Sequence, residues 1–461
     1  MNYAQFLAAF IFLGAYVLIA IEVFDKTRVA LAGAALMLVL RLVEQHTAFH
    51  GTHEVPGVDW NTIFLLIGMM IVVGVTRHTG LFQWIAIRSA KLVHGHPVGI
   101  VLALSVITAL VSAFLDNVTT VLLVAPVVFV IARALETDPV PFIIPVSLAS
   151  NIGGTATLIG HPPNIMIASA AGFTFADFLR YDTPPAAVIL LVFCLMVWAG
   201  LSPRTKVSSQ ARARIMAFDE KEAIRDPVLL RKCLFVIGLA LLGFVVHGRL
   251  RLEPATIALA AAALLLLLLG RRPRVGDEEG EYHWYHEVEW GVIFFFVGLF
   301  VMVAGLVELG VVKLLGQWLV QVTGGNTVAL TFLILWFSAF AAGMMDNIPF
   351  VATMNALILG LQRMVAGPDP AGARDPLIMP LWWALSLGAC LGANFTAIGS
   401  ATNIVSVSLA ARDGHPVSFA RFLKYGVPVT LMSIVVAMAY LWLVFLRHLP
   451  PGASLLGAGT R

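Results

Sequence analysis

The chain has 461 residues, of which 59% are hydrophobic and 12% charged, with a mean hydropathy of +0.91. A soluble chain carries about 25% charged residues, so this composition is that of an integral membrane protein whose first partner is the lipid bilayer. The net charge of +3 does not suggest nucleic acid; with no zinc-finger spacing, Walker loop, dinucleotide fingerprint or soluble domain, neither an enzyme nor a cofactor is expected.

The opening 1–24 lacks a basic leader and a cleavage site, so 4–23 reads as a first spanning helix and not a removed signal. Apolar segments follow near 28–43, 61–76, 98–114, 118–134, 141–158, 184–201, 232–247, 254–270, 290–306, 325–345, 348–362, 379–398 and 427–446. Several are short or broken, giving about ten to twelve spans plus re-entrant pieces. Segments 80–94 and 308–322 are amphipathic and suit the interface, anchored by Trp84 and Trp318. Loop 44–59 has no Lys or Arg and is placed outside; its His46, His50 and His53 read as surface histidines. The polar stretch 202–231, rich in Lys and Arg, reads as a cytoplasmic linker between a first repeat, 1–201, and a second, 232–461. Cys194, Cys233 and Cys390 are single and far apart, which argues against a disulfide framework or a metal site.

The stretch 105–126 is long enough to cross a bilayer and carries Asp116, Asn117, Thr119 and Thr120 near its middle. A charge at mid-membrane costs at least about 2.5 kcal/mol on insertion scales, which makes an intramembrane acid a functional candidate. The constellation returns at 338–355 with Asp346 and Asn347, 230 residues on. At the same offset WNTIFLLIGMMIVVGVTRHTGLF (60–82) matches WGVIFFFVGLFVMVAGLVELGVV (290–312). NIGGTATLIGHPPN (151–164) matches LGANFTAIGSATN (391–403), and FLRY (178–181) matches FLKY (422–425). These ordered matches indicate an internal duplication. With Arg77, Arg88 and Lys91 placed inside and Arg271, Arg272 and Arg274 also inside, 61–76 and 290–306 run in opposite directions. That is an all-α membrane fold of two inverted repeats, held against the acidic cluster 277–281 and the outer Arg249 and Arg251, which weaken the charge bias.

Pro162, Pro163 and the glycines of 150–167 interrupt any continuous helix, so this segment is buried in protein or lines a polar cavity. Asn151, Thr155, Thr157 and Asn164 offer neutral donors and acceptors, and Asn394, Thr396, Ser400 and Asn403 repeat the pattern. The same residues also suit helix packing. Asp116 and Asp346 are suited to carry a coupling ion, H+ or Na+, because neither span contains a Lys or Arg to pair with and Arg133 is the nearest base on the first hairpin. His161, beside the double proline, is either titratable or a hydrogen-bonded structural residue.

LDNVTTVLLVAP (115–126), NIGGTATLIGHPPNIMI (151–167) and MDNIPFVATM (345–354) resemble the ArsB/NhaD branch of the ion transporter superfamily, which includes arsenite efflux permeases, sodium/proton antiporters and the melanosomal P protein. The resemblance implies two inverted halves, each with a re-entrant hairpin and a broken helix, around a central site, in a multi-pass protein of the cell inner membrane. It places Asp116–Asn117 and Asp346–Asn347 at the helix breaks and Asn151, Thr155 and Asn403 at the hairpin tips or adjoining helices, and related carriers imply a homodimer. Two departures stand out: His161 replaces an Asp of the usual Ile-Gly-Asp-Pro-Pro-Asn motif, and Asp346-Asn347 stands where arsenite permeases have Asn-Asn. The first expectation is export of arsenite or antimonite by proton antiport, alone or assisted by a separate ATPase subunit. A neutral trihydroxide needs only hydrogen-bonding groups, and no Arg or Lys lies between 134 and 179. The alternatives are a sodium/proton antiporter and a dicarboxylate or other anion transporter.

Overall fold

A computed structural model describes residues 2–21, 24–52, 55–201, 207–269, 284–366, 370–450 and 453–455. His53, the first residues of the linker (202–206), Arg271, Arg272, Arg274 and the acidic cluster 277–281 lie outside the described residues. The elements are α1 (Tyr3–Ile21), α2 (Lys26–Val39), α3 (Gln45–His50), α4 (Trp60–Arg77), α5 (Leu81–Leu92), α6 (Pro97–Ser112), α7 (Asn117–Ala134), α8 (Val140–Thr155), α9 (Pro162–Ala171), α10 (Phe175–Tyr181) and α11 (Thr183–Leu201). Then come α12 (Ser209–Met216), α13 (Pro227–Leu250), α14 (Pro254–Leu269), α15 (Trp290–Glu308), α16 (Val311–Val322), α17 (Thr327–Met344), α18 (Asn347–Ala366), α19 (Met379–Gly392), α20 (Ala401–Arg412) and α21 (Phe419–Val444). Apart from an isolated bridge between Asn326 and Ser454, the described residues form no strand. Eight helices among them are long and apolar enough to cross a membrane, and six shorter apolar helices accompany them.

The expected span 105–126 is two helices. α6 ends at Ser112, and α7 starts at Asn117 with Asp116 as its N-cap. The stretch 338–355 breaks in the same way between α17 and α18. A carboxylate that accepts the backbone N–H groups of a helix start stabilises a new helix and not the middle of a long one, so each Asp-Asn pair marks a break.

Packing follows the internal matches. A Cβ on Gly68 of α4 would lie 2.6 Å from the Ala258 backbone on α14, and one on Gly298 of α15 would lie 2.7 Å from the Ala30 backbone on α2. Glycine lets these backbones touch, as small residues do between membrane helices. Thus α2 packs on α15 and α14 on α4. Arg77 and His78, at the end of α4, hold Glu287 just before α15 at 3.1 and 2.7 Å. The far end of α15 returns to the other side, where Glu308 accepts from Glu44 N. The matched helices α4 and α15 therefore run in opposite directions.

The linker lies against the ends of α4 and α5. Lys91 and Arg88 hold Glu220 at 2.5 and 2.9 Å, and Arg225 N donates to Thr79 O. The Lys91 ammonium, aided by Arg88, pushes the Glu220 carboxyl down to about 2.

Candidate functional site

Six helix starts, those of α2, α7, α9, α15, α18 and α20, line one cavity of about 300 Å³. Asp116 caps α7 by accepting from Thr119 N at 3.0 Å, and Asp346 at the head of α18 accepts from Ile348 N at 3.1 Å. His161 precedes α9 and Ser400 caps α20, accepting from Thr402 N at 3.2 Å. Of the residues singled out from sequence, Asp116, Asn117, Thr119, Asp346, Asn347 and Ser400 line this cavity, with His161 beside them.

The expectation that Asp346 lacks a basic partner is corrected. Lys26 at the start of α2 places Nζ 2.8 Å from Asp346 Oδ2 and 5.0 Å from the centre of the Phe295 ring. Arg133, the base expected to be nearest, pairs with Asp413 instead. Local span composition could not reveal Lys26, because it comes from another helix; its only signal was an Asp25-Lys26 pair between two apolar segments. Glu289, just before α15, is a third acid on the cavity wall that the sequence reading missed.

His161 is buried, and its Nε2 faces two amides, Asn117 Nδ2 at 3.2 Å and Asn347 Nδ2 at 3.1 Å. Nε2 accepts from both, so the ring proton sits on Nδ1, which has no hydrogen-bond partner among the described residues. The two Asn residues that follow the two Asp caps thus meet on one ring.

The remaining predicted residues lie behind the cavity and hold the broken segments together. Asn151 accepts from Asn117 Nδ2 at 2.9 Å and donates to Asn394 Oδ1 at 2.8 Å and Asn403 Oδ1 at 3.2 Å. Asn164 Nδ2 donates to the carbonyls of Thr155 and Thr157, and Asn403 Nδ2 donates to those of Ala393 and Thr396. Thr157 and Thr396 donate to the carbonyls of Ala113 and Gly343, which tie each α8–α9 and α19–α20 break to the neighbouring α6–α7 or α17–α18 break. Thr120 and Thr155 bond back to their own helices through Asp116 O and Asn151 O. Two bonds join the matched segments reciprocally: Ser147 Oγ donates to Asn403 Oδ1 at 2.9 Å, and Ser386 Oγ to Asn164 Oδ1 at 2.8 Å.

A second cavity, about 350 Å³, lies further along the same helices. α9 gives Pro162 and Ile165 to the first cavity and Met166 and Ser169 to the second; α18 gives Ile348 to the first and Ala352 and Asn355 to the second; α15 gives Val292 to the first and Phe300 and Val303 to the second. The two spaces are therefore strung along one three-helix seam.

A family model described as "CitMHS: Citrate transporter" matches residues 16–388. The chain is 45% identical over 436 residues to "Uncharacterized transporter Rv2684" of Mycobacterium tuberculosis, covering 95% of this chain and 97% of that one. It is 32% identical over 511 residues to the P protein of Mus musculus, covering 94% of this chain and 59% of the relative. Among solved structures, the Alcanivorax borkumensis YdaH transporter superposes with a TM-score of 0.57 at 14% identity, covering 96% of this chain and 99% of that one, a likeness of fold alone. The P protein expected from the motifs is thus among the relatives, and the wider ion-transporter superfamily holds; the ArsB/NhaD branch is not singled out.

Proposed function

We propose a function from one premise: the chain belongs to the citrate transporter (CitMHS) family, and it is a multi-pass secondary transporter that moves ions or small solutes across a membrane. Within that class we assign it the uptake or exchange of a small carboxylate anion, coupled to H+ or Na+ at Asp116, by alternating access in the cell inner membrane. The observation that carries this reading is the convergence of six helix starts on one cavity.

The charge balance explains the coupling. At roughly half a positive charge each, the six helix starts contribute about three, which offsets Asp116, Asp346 and Glu289 and leaves the single charge of Lys26 over. The cavity without a coupling ion therefore attracts an anion only weakly. A proton or sodium ion at Asp116 makes it more strongly positive. Asp116 is the natural receiver because it is the cap without a basic partner, whereas Asp346 already holds Lys26.

The opposed directions of α4 and α15 support an inverted repeat with its breaks at the central site. The cavity beside Lys26 and Glu289 lies toward the end of α4 that meets the basic 77–91 segment and the linker, so by the positive-inside rule we read it as open to the cytoplasm. The second cavity is the opposing vestibule.

Sodium/proton exchange is the second reading, favoured by the three acids on the wall, but a bare cation does not need about 300 Å³. Arsenite, the first expectation, gains nothing from the cavity field because its trihydroxide is uncharged. Purified protein in proteoliposomes, offered labelled citrate, succinate, arsenite or 22-sodium under matched gradients, decides among them. Uptake of a carboxylate that the other carboxylates compete for supports the assignment. Transport of sodium or arsenite alone, with no carboxylate uptake, overturns it.

A further inference from the structure

Asp182, between α10 and α11, is the one fully buried acid among the described residues, and it lies outside the cavity wall. Its Oδ2 is 2.5 Å from Ser386 Oγ on α19, and its Oδ1 has no hydrogen-bond partner among the described residues. The same Ser386 Oγ is 2.8 Å from Asn164 Oδ1. The orientation of Asn164 is fixed, because its Nδ2 already donates to the carbonyls of Thr155 and Thr157 at 3.1 and 2.9 Å. Its Oδ1 can therefore only accept.

A serine hydroxyl has one proton and cannot donate to both neighbours at once. Were Asp182 ionised and served by Ser386, two oxygens without a hydrogen between them would face each other at 2.8 Å. Every short contact is satisfied when Asp182 is protonated on Oδ2: the acid donates to Ser386, and Ser386 donates to Asn164. Cys390 Sγ donates separately to the same Asn164 oxygen at 3.2 Å.

This chain of bonds ends on the break between α8 and α9. The neighbour of Asp182, Thr183, reaches the same break by donating to Ala156 O at 2.7 Å. The matching place in the second repeat has no acid. There FLKY is followed by Gly426, where a Cβ would lie 2.5 Å from Asn394 O, so α21 rests directly on the second break. One break is held by backbone packing and the other through a titratable group.

We propose that Asp182 is a proton-binding site, and that its neutral form clamps the 156–161 break through Ser386 and Asn164, whichever solute is carried. On deprotonation the Ser386 O–H turns to the carboxylate, and Asn164 Oδ1 keeps only the Cys390 thiol. The titratable groups near Asp182 are Cys390 on α19 and Tyr440 on α21, with its chain neighbour Tyr181 and Arg180 stacked on the Tyr181 ring; no ion pair to Asp182 forms among the described residues.

Infrared difference spectra of the full chain in lipid test the proton without any transport assay. The wild type should show the C=O stretch of a protonated carboxyl group that Asp182→Asn lacks, that D116N retains, and that Ser386→Ala shifts because its acceptor is gone. In proteoliposomes D182N, whose amide supplies the same donor, should transport at the wild-type rate at acid pH. Toward alkaline pH it should decline less steeply than the wild type. A D182N spectrum that loses no such band overturns the proposal, and so does a D182N pH profile that superimposes on the wild type. If D182N does not fold, an S386A band at the wild-type position overturns it equally.

Discussion

Lys26 and Asp346 lie 320 residues apart in the chain and 2.8 Å apart in the fold. The contacts of Gly298 with Ala30 and of Gly68 with Ala258 put Pro254 at the place on α14 that matches Lys26 on α2. Among the described residues Asp116 consequently has no ammonium partner and is held by Thr119 alone among side chains, through its N–H and hydroxyl. Two acids that look equivalent in sequence are chemically different: one is paired, and the other is available to a coupling ion.

Breaking the pair should cost more than removing it. The side chains are 32% and 20% exposed, between the surface and buried regimes, so Lys26→Met or Asp346→Asn alone should destabilise by about 1–2 kcal/mol. Each should also cut transport severely by leaving a lone charge in the cavity. The double variant K26M/D346N should recover most of the stability. Thermal unfolding of the three proteins in detergent checks this, and a double variant as unstable as the two losses added would refute it.

Gly68 and Gly298 set the distance between α4 and α14 and between α15 and α2. Replacing either by Val forces a Cβ to within 2.6 or 2.7 Å of backbone, which should destabilise by about 1–3 kcal/mol. Gly238 on α13 has open space at its Cβ, so Gly238→Ala should leave the midpoint unchanged or raise it slightly. The comparison is a denaturation series on all three.

The Asp-Asn breaks and the polar segments were legible because each occurs twice, at matched spacing, where an apolar helix was otherwise expected. Two things were not. Lys26 reaches Asp346 from a distant helix, and no local window contains both. The split of the polar set into cavity wall and scaffold was also hidden. Asn151, Asn394 and Asn403 use on one another, and Asn164 and Asn403 on backbone carbonyls, the amides that they would use on a solute, and residue type does not distinguish the two uses.

The linker clamp should resist acid and yield to salt. Glu220 has its folded pKa depressed to about 2, so its contribution is present above the ordinary glutamate value and is lost only as pH falls toward 2. At physiological pH the pairs with Lys91 and Arg88 persist, whereas the screening length shrinks to about 3 Å at 1 M salt. Limited proteolysis within 207–226 should therefore accelerate in 1 M salt. It should also accelerate for Glu220→Gln at low salt, and it should be unchanged between pH 5 and 8 in the wild type.

The central claim is that a cation at Asp116 admits the anion. The most direct measurement is uptake of a labelled carboxylate into proteoliposomes driven in turn by a proton gradient and a sodium gradient, for wild type and Asp116→Asn, with binding measured separately by thermal shift. The account predicts wild-type uptake that follows one of the two gradients. D116N, neutral like the protonated acid, should still bind the carboxylate but no longer accumulate it against its gradient. Gradient-driven accumulation by D116N equal to that of the wild type would contradict the account.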